Sequence, residues 1–401
     1  MSGKWPGGFI KKTAPTVVGP VDGEGGSASG VWTLDQAADY ESQGLWPIPP
    51  LPRELYAWGQ NTYGQLGDGT TTQRNSPVQV GGLTTWDKVA AGWDFSVAIK
   101  TDGTLYAWGY NLYGQLGQNN TTTYSSPVQV GALTTWNKIA PGATCTVAIK
   151  TDGTLWTWGL GTAGQLGLGD TANRSSPVQV GALTTWDKVA SGSYFSLATT
   201  TGGALYAWGY NNLGNLGLGD TANRSSPVQV GALTTWANIA VGEYHAIAIK
   251  TDGTLWTWGY NPFGQLGLND TANRSSPVQV GALTTWLQAA GGYHTAVIKT
   301  DGTLWSWGMG EKGQLGQGNI TYYSSPVQVG ALTTWGVVQC GSEHTIATQT
   351  DGTLWGIGRG GFGSLGNGST VNRSSPTQVG ALTTWNEINA ARFFSIATTK
   401  G

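Results

Sequence analysis

The phrase Leu-Thr-Thr-Trp occurs seven times in this chain, ending at Trp86, Trp136, Trp186, Trp236, Trp286, Trp335 and Trp385, every 50 residues except for one step of 49. A fixed period of this length marks a unit that cannot bury its apolar face alone and is completed by stacking on copies of itself. Each copy adds a Ser-Pro pair, at Pro77, Pro127, Pro177, Pro227, Pro277, Pro326 and Pro376, and a Gly-x-Leu-Gly turn, from residues 64–67 in the first copy to 363–366 in the last.

Within a unit, short β-branched and aromatic stretches alternate with Gly, Asn, Asp and Pro, and no stretch keeps a helical period. The spacing predicts four strands, here called a to d: residues 87–91, 96–101, 105–109 and 127–130 in one copy. Asp102-Gly103 between b and c reads as a two-residue hairpin in a type I′ turn, which needs positive φ at both central positions. The first copy opens on the c-like segment Leu55-Tyr56-Ala57-Trp58-Gly59, without its b strand. The chain ends on the b-like residues 394–400, without their c strand. Pairing these two ends would close a ring and remove the free sheet edges that template aggregation. The expected fold is therefore all-β: a seven-bladed β-propeller of four-stranded blades over residues 53–401, closed by its terminal strands.

The run at residues 103–117, Gly-Thr-Leu-Tyr-Ala-Trp-Gly-Tyr-Asn-Leu-Tyr-Gly-Gln-Leu-Gly, followed by Ser126-Pro127 and by Gly-x-x-His at 242–245 and 341–344, resembles the regulator of chromosome condensation repeat. The resemblance covers about 350 residues and implies a seven-bladed propeller. It implies no single function, because similar propellers serve as nucleotide exchange factors, chromatin binders and protein inhibitors of enzymes. Exchange factors of the family carry a protruding insertion between blades, whereas the connections here are nearly uniform in length.

Composition excludes other classes. Lys and Arg number 20 against 22 Asp and Glu, a net charge of −2, so no global field draws the chain to nucleic acid or an acidic membrane. No run of 18 apolar residues occurs, and residues 1–8 lack the pattern of a secretory signal. Cys145 and Cys340 fall at different repeat positions, so both are expected as buried thiols without a bridge.

Residues 1–52 break the period and are rich in Pro and Gly. Thr33 and Gln36 form a capping box and Gly44 a left-handed C-cap, which predicts a short helix over about 34–43. A helix this short needs a surface to dock on, through Trp32, Leu34, Leu45 and Trp46. The segments 30–36 and 43–47, with Gly7-Gly8-Phe9-Ile10, resemble a stretch recurrent in virion structural proteins of marine tailed phages. That resemblance implies an arm tethering the propeller to other virion or appendage subunits, in a virion or extracellular assembly reached without a signal peptide.

The three histidines, His245, His294 and His344, share one repeat position in consecutive copies, where other copies carry Phe95, Cys145, Phe195 and Phe394. The slot reads as packing, since positions spread around a ring do not converge on one metal ion. Residues 159–164, 308–313 and 358–363 match G-x-G-x-x-G, but no helix follows them, so a dinucleotide site is not expected. Near-identical copies distribute the same groups seven times, whereas catalysis needs different groups at one point. No enzyme activity, cofactor or metal is expected.

The copies differ on one side only. Antiparallel strands place the a-to-b turns and c-to-d loops on one face. There the repeat position varies through Trp93, Tyr194, Glu243, Tyr244 and Arg392 in the turns and through Tyr110, Tyr210 and Tyr260 after the c strands. Large rigid rings with a few charges compose a recognition surface. The same face carries Arg74, Arg174, Arg224, Arg274 and Arg373, able either to engage an anionic ligand or to pair locally, as Asp170, Asp220 and Asp270 suggest for three of them. The sequence thus reads as a non-catalytic structural protein of a virion or appendage, held by its arm and presenting this face to a host-surface glycan or protein, with homo-oligomerisation left open. The alternative is a soluble protein-binding propeller of the inhibitor or exchange-factor type. Neither nucleic-acid binding nor membrane insertion is expected.

Overall fold

The computed structural model describes residues 53–400, which form seven antiparallel four-stranded sheets arranged as the blades of a propeller. The arm 1–52, with its expected helix and Trp32, Leu34, Leu45 and Trp46, lies outside the described residues. In blade 1 the strands are a Trp86–Ala91, b Phe95–Lys100, c Leu105–Gly109 and d Tyr124–Gln129. Blades 2 to 6 repeat this order from Trp136–Pro141, Trp186–Ser191, Trp236–Val241, Trp286–Gly291 and Trp335–Cys340. Blade 7 joins the two ends of the ring. Its a and b strands are Trp385–Ala390 and Phe394–Thr399, its c and d strands Leu55–Gly59 and Arg74–Gln79. Leu55 lies opposite Thr398 and Trp58 opposite Ser395 in this closing pair.

One clasp, repeated at six of the seven joints, explains Gly-x-Leu-Gly and the c-strand tryptophan, whose place Ile357 takes in blade 6. The c-strand tryptophan reaches into the preceding blade and donates its indole N–H to the main-chain carbonyl inside Gly-x-Leu-Gly: Trp108 to Gln65 at 3.0 Å, Trp158 to Gln115 at 2.9 Å, Trp208 to Gln165 at 2.9 Å. The closing joint uses the same bond, Trp58 to Ser364 at 3.0 Å. These rings are fully buried, so each joint gains a large apolar contact and satisfies its one polar group. Glycine at position 67 is required twice over. Its φ is 77°, and a Cβ there would stand 2.5 Å from Trp108 Nε1.

Two local expectations need correction. The b-to-c connection is not a type I′ turn. Gly103 has φ 77° but Asp102 does not enter the left-handed region. Gly103 N–H bonds to Lys100 O while Lys100 N–H bonds to Thr104 O, the pattern of a three-residue loop ending in a glycine bulge. Asp102 is held in it by accepting from Thr104 N at 2.9 Å and Thr104 Oγ1 at 2.6 Å. The d strands also begin three residues before Ser-Pro's proline, not at it. Tyr124 pairs with Gly109 and Val128 with Ala107, so the strand bulges around Pro127. An outermost strand tolerates the missing N–H, and the bulge blunts the exposed edge.

The b-to-c turns and d-to-a links make a nearly uniform face. Each blade there exposes one leucine to nearly half its extent, Leu83, Leu133, Leu183, Leu233, Leu283, Leu332 and Leu382. Lysines of four blades sit over tryptophan or tyrosine rings, as Lys150 does 3.4 Å from the Trp156 centroid.

Candidate functional site: the mouth of the central channel

The seven a strands surround a channel of about 250 Å³, lined largely by Ala, Gly and Ser because seven backbones converge there. At its end on the variable face, the first residue of each a-to-b turn points toward the mouth: Trp93, Ala143, Ser193, Glu243, Ser342 and Arg392 from blades 1, 2, 3, 4, 6 and 7. Blade 5 lacks this residue, passing from Gly292 directly to Tyr293, which is the 49-residue step. Glu243 from blade 4 takes the space. Its carboxylate accepts from Ser193 Oγ at 2.6 Å, from Trp93 Nε1 at 2.9 Å and from Ser342 Oγ, so one buried side chain joins four blades. A buried carboxylate is stable only when so surrounded by donors.

Aromatic rings encircle this mouth. Trp93 packs edge-on to Tyr194 with centroids 6.3 Å apart, spanning blade 2, whose turn residues Ala143 and Thr144 are small. Tyr110 lies 4.7 Å from Tyr63 and 6.3 Å from Tyr113. Tyr244 meets Tyr260, which meets Phe263, which meets Tyr293 and Tyr322. Burial, and after it the charge of Glu243, pushes the Tyr293 hydroxyl up to about 12 and shifts Tyr244 upward. Tyr194 is likewise raised by burial, and Tyr210 is half-buried beside Tyr244.

A ladder of alternating rings and guanidiniums crosses the rim. Arg359 lies 5.5 Å from the Phe362 centroid and 4.6 Å from Phe393; Arg392 lies 5.0 Å from Phe393 and 4.9 Å from Trp93. Phe362 takes part from a left-handed backbone, φ 63°, which a phenylalanine rarely adopts. Arg359 is ion-paired with Glu343. Arg392 is exposed and has no ion pair among the described residues. Nearby Asp94 is raised above the usual carboxylate range by burial, with Arg392 opposing the shift.

The loops carrying these rings are pinned. In blade 1 the buried Asn111 donates to Asn120 O and Thr122 O and accepts from Leu116 N, and Asn61, Asn211 and Asn261 do the same work in their blades. The d-to-a links between blades are equal in length, as are the c-to-d loops within them, so no insertion protrudes among the described residues.

The arginine ring does not form an anion site as a whole. Arg174, Arg224 and Arg274 pair with Asp170, Asp220 and Asp270, as weighed from sequence, and Arg74 pairs with Asp68 at 2.7 Å, a partner the spacing did not single out. In blade 6 Asn367 and Ser369 occupy the two acid positions, and Arg373 alone of the five has no ion pair among the described residues. All five stand at the start of outermost strands, away from the mouth.

The histidines hold joints between blades. His245, His294 and His344 Nε2 meet Thr295 Oγ1, Thr345 Oγ1 and Ser395 Oγ of the next blade at 2.8, 2.7 and 2.9 Å. Each hydroxyl gives its own proton to a carbonyl, of Gln265, Gln314 and Ser364 respectively, so it accepts from the imidazole. The rings are therefore protonated at Nε2, leaving Nδ1 bare and without a partner. Burial drives all three imidazoles down to about 3. Gly242 lies beneath His245, where a Cβ would stand 2.2 Å from Cε1, which is why Gly-x-x-His recurs. Among the described residues no group of three or more His, Cys, Asp or Glu is placed to hold a metal ion. Cys145 and Cys340 are buried and free. The G-x-G-x-x-G segments begin at the ends of c strands and lead into loops, with only a three-residue 3-10 turn at Gly361–Gly363.

Thus the structure brings Trp93, Tyr194, Glu243, Tyr244 and Arg392 together at the mouth, sets Tyr110, Tyr210 and Tyr260 around them, and separates the rim arginines. Sequence reasoning did not single out Ser193, Ser342, Arg359 or Phe393 as site residues. Their signal was present in the same repeat columns, but pairing across the ring needs the curvature.

The regulator of chromosome condensation (RCC1) repeat profile matches residues 54–99, 102–149, 152–199, 202–249, 252–298, 301–348 and 351–398, and a second profile of the same repeat matches 86–115, 186–215 and 236–265. Prp20p from Saccharomyces cerevisiae is similar in structure, with TM-score 0.79 and 20% identity over 87% of this chain and 91% of that one. Human WBSCR16 gives TM-score 0.79 and 22% identity over 87% and 99%. No curated sequence matches the chain, and nothing in these comparisons supports the virion resemblance of the arm. At such identities the structural likeness speaks for the fold alone, whereas the repeat profiles span nearly all of the described residues: this chain belongs to the RCC1 repeat family.

Proposed function

We propose that this propeller is a non-catalytic protein-binding module whose working surface is the face of the a-to-b turns and c-to-d loops. The observation that carries the reading is the division of labour between faces. One repeats Leu-Thr-Thr in every blade, while the other changes from blade to blade, with aromatic or charged turn residues in all but blade 2 and with the c-to-d loops of blades 1, 3, 4 and 7 pinned by buried asparagines. Drifting loops would have no need of such pinning, and rigid rings lose little entropy on binding. Family relatives support a protein partner: the structure of Prp20p was described with its binding to Gsp1p and histones, and that of yeast RCC1 (Prp20) in complex with Kap60. Exchange activity is the less favoured form, because the inter-blade insertion of exchange factors has no counterpart in the equal loops.

Selection of a displayed random-peptide library on the immobilised protein tests this. Peptides recovered should lose binding to the Tyr110→Ala/Tyr210→Ala/Tyr260→Ala variant and keep it for Leu133→Ala/Leu183→Ala/Leu233→Ala on the other face. The opposite pattern, or recovery of no face-dependent peptide, overturns the proposal.

A further inference from the structure

Within that proposed binding role, on which this step rests, the geometry points to an acidic peptide segment as the partner, its carboxylate taken by Arg392 at the channel mouth and its apolar neighbours packed on Trp93 and Tyr194.

The argument is one of charge placement. The mouth holds three carboxylates and two guanidiniums, but they are not equally accessible. Glu243 is buried and occupied by Trp93, Ser193 and Ser342. Glu343 is engaged by Arg359, with its side chain 13% exposed. Asp94 is only partly exposed, with Gln65 Nε2 at 3.4 Å. Arg392 is the exposed charge among them, and it has no ion pair among the described residues. Its guanidinium carbon lies 4.9 Å from the Trp93 centroid and 5.0 Å from that of Phe393, so two rings flank the cation while no carboxylate pairs with it among the described residues. The planar fork of a guanidinium can grip a carboxylate through two parallel hydrogen bonds. Ordering it costs little on binding, because the ladder from Phe362 through Arg359, Phe393 and Arg392 to Trp93 restrains it beforehand. A flat apolar ligand without an anion would leave this cation covered and unpaired, so the surface discriminates against it.

The peptides recovered by display selection provide the test. Those that depend on the aromatic face should be enriched in Asp and Glu. A synthetic peptide from the set should bind at least about tenfold more weakly when its glutamates are replaced by glutamines, or when the protein carries Arg392→Gln. Arg392→Lys, which keeps the charge but not the fork, should recover only part of the loss, and the ion-paired Arg359→Gln should have the smaller effect. Melting curves of the variants keep a folding defect apart from a binding defect. Face-dependent peptides without acidic enrichment, equal binding of the Glu and Gln peptides, or stronger binding of a sulfated oligosaccharide at Arg392 would overturn this inference while leaving a binding face in place. Absence of any face-dependent peptide would instead remove the binding role itself.

Discussion

Trp93 donates its indole N–H to Glu243 at 2.9 Å although the two residues belong to blades 1 and 4, on opposite sides of the channel. Neighbouring blades are joined by clasps such as Trp108 to Gln65, and Trp93 also packs on Tyr194 of blade 3. This bond and its companions from Ser193 and Ser342 therefore add a tie across the ring that the repeat itself does not supply. Glu243→Ala removes the acceptor that Trp93, Ser193 and Ser342 share. It should lower stability by about 1–3 kcal/mol, seen as a reduced midpoint in thermal unfolding, with a shift in tryptophan emission as Trp93 loses its partner. An unchanged midpoint would show that the tie contributes nothing.

The ring-closing joint uses the same bond as the internal joints, so it should be no weaker. Trp58→Phe removes the N–H that reaches Ser364 O, as Trp208→Phe removes that reaching Gln165 O. Both should cost about 1–3 kcal/mol, from the lost hydrogen bond together with the smaller ring. Chemical denaturation of the two variants compares them. A far larger loss for Trp58→Phe would mean that closure is the weak point.

Much of this architecture was legible in the sequence, because a repeat reports each joint seven times. The unpaired c-like start at Leu55 and b-like end at Phe394 named the closing strands, and their register is observed. Legibility failed where the cause lies across the ring or in fine backbone geometry. The 49-residue step located a deletion in blade 5, but nothing in a linear string says that Glu243 occupies the space or that Ser342 meets it. Asp102-Gly103 suits a type I′ turn, yet Lys100 O captures Gly103 N–H and the side chain of Asp102 captures Thr104, so the longer loop wins. The ion pairs of the rim were half legible: the i, i+4 pair Asp170 with Arg174 follows from spacing, whereas Asp68 occupies a different loop position.

That difference between rim pairs is measurable. Asp68 and Asp220 each also accept from a main-chain N–H and an asparagine side chain, but the Asp68 side chain is 6% exposed and that of Asp220 45%. Asp220→Asn should leave the thermal midpoint essentially unchanged, as exposed ion pairs usually do. Asp68→Asn disturbs a buried, multiply bonded group and should cost about 1–2 kcal/mol. Equal effects in thermal unfolding would contradict the assignment of structural weight to burial here.

The three histidines make the propeller sensitive to acid. Each is buried neutral with Nδ1 bare, so protonation would place a charge in a joint that offers it no acceptor. Their folded-state values, about 3, lie below the ordinary 6.5. Between those two values the unfolded chain binds more protons than the folded one, so stability rises with pH across that window and is lost as pH falls through it. Above about pH 6.5 the histidines contribute no pH dependence; at pH 5 each costs on the order of 2 kcal/mol relative to neutrality. The equivalent slots of blades 1, 3 and 7 hold Phe95, Phe195 and Phe394, each fully buried, so the joint accommodates a ring that cannot titrate. The His245→Phe/His294→Phe/His344→Phe variant should therefore keep a comparable midpoint in urea at pH 7.5 and lose much of the fall seen in the unaltered protein between pH 6.5 and 4.5. Parallel pH profiles for the two proteins would show that the histidines do not carry the acid sensitivity.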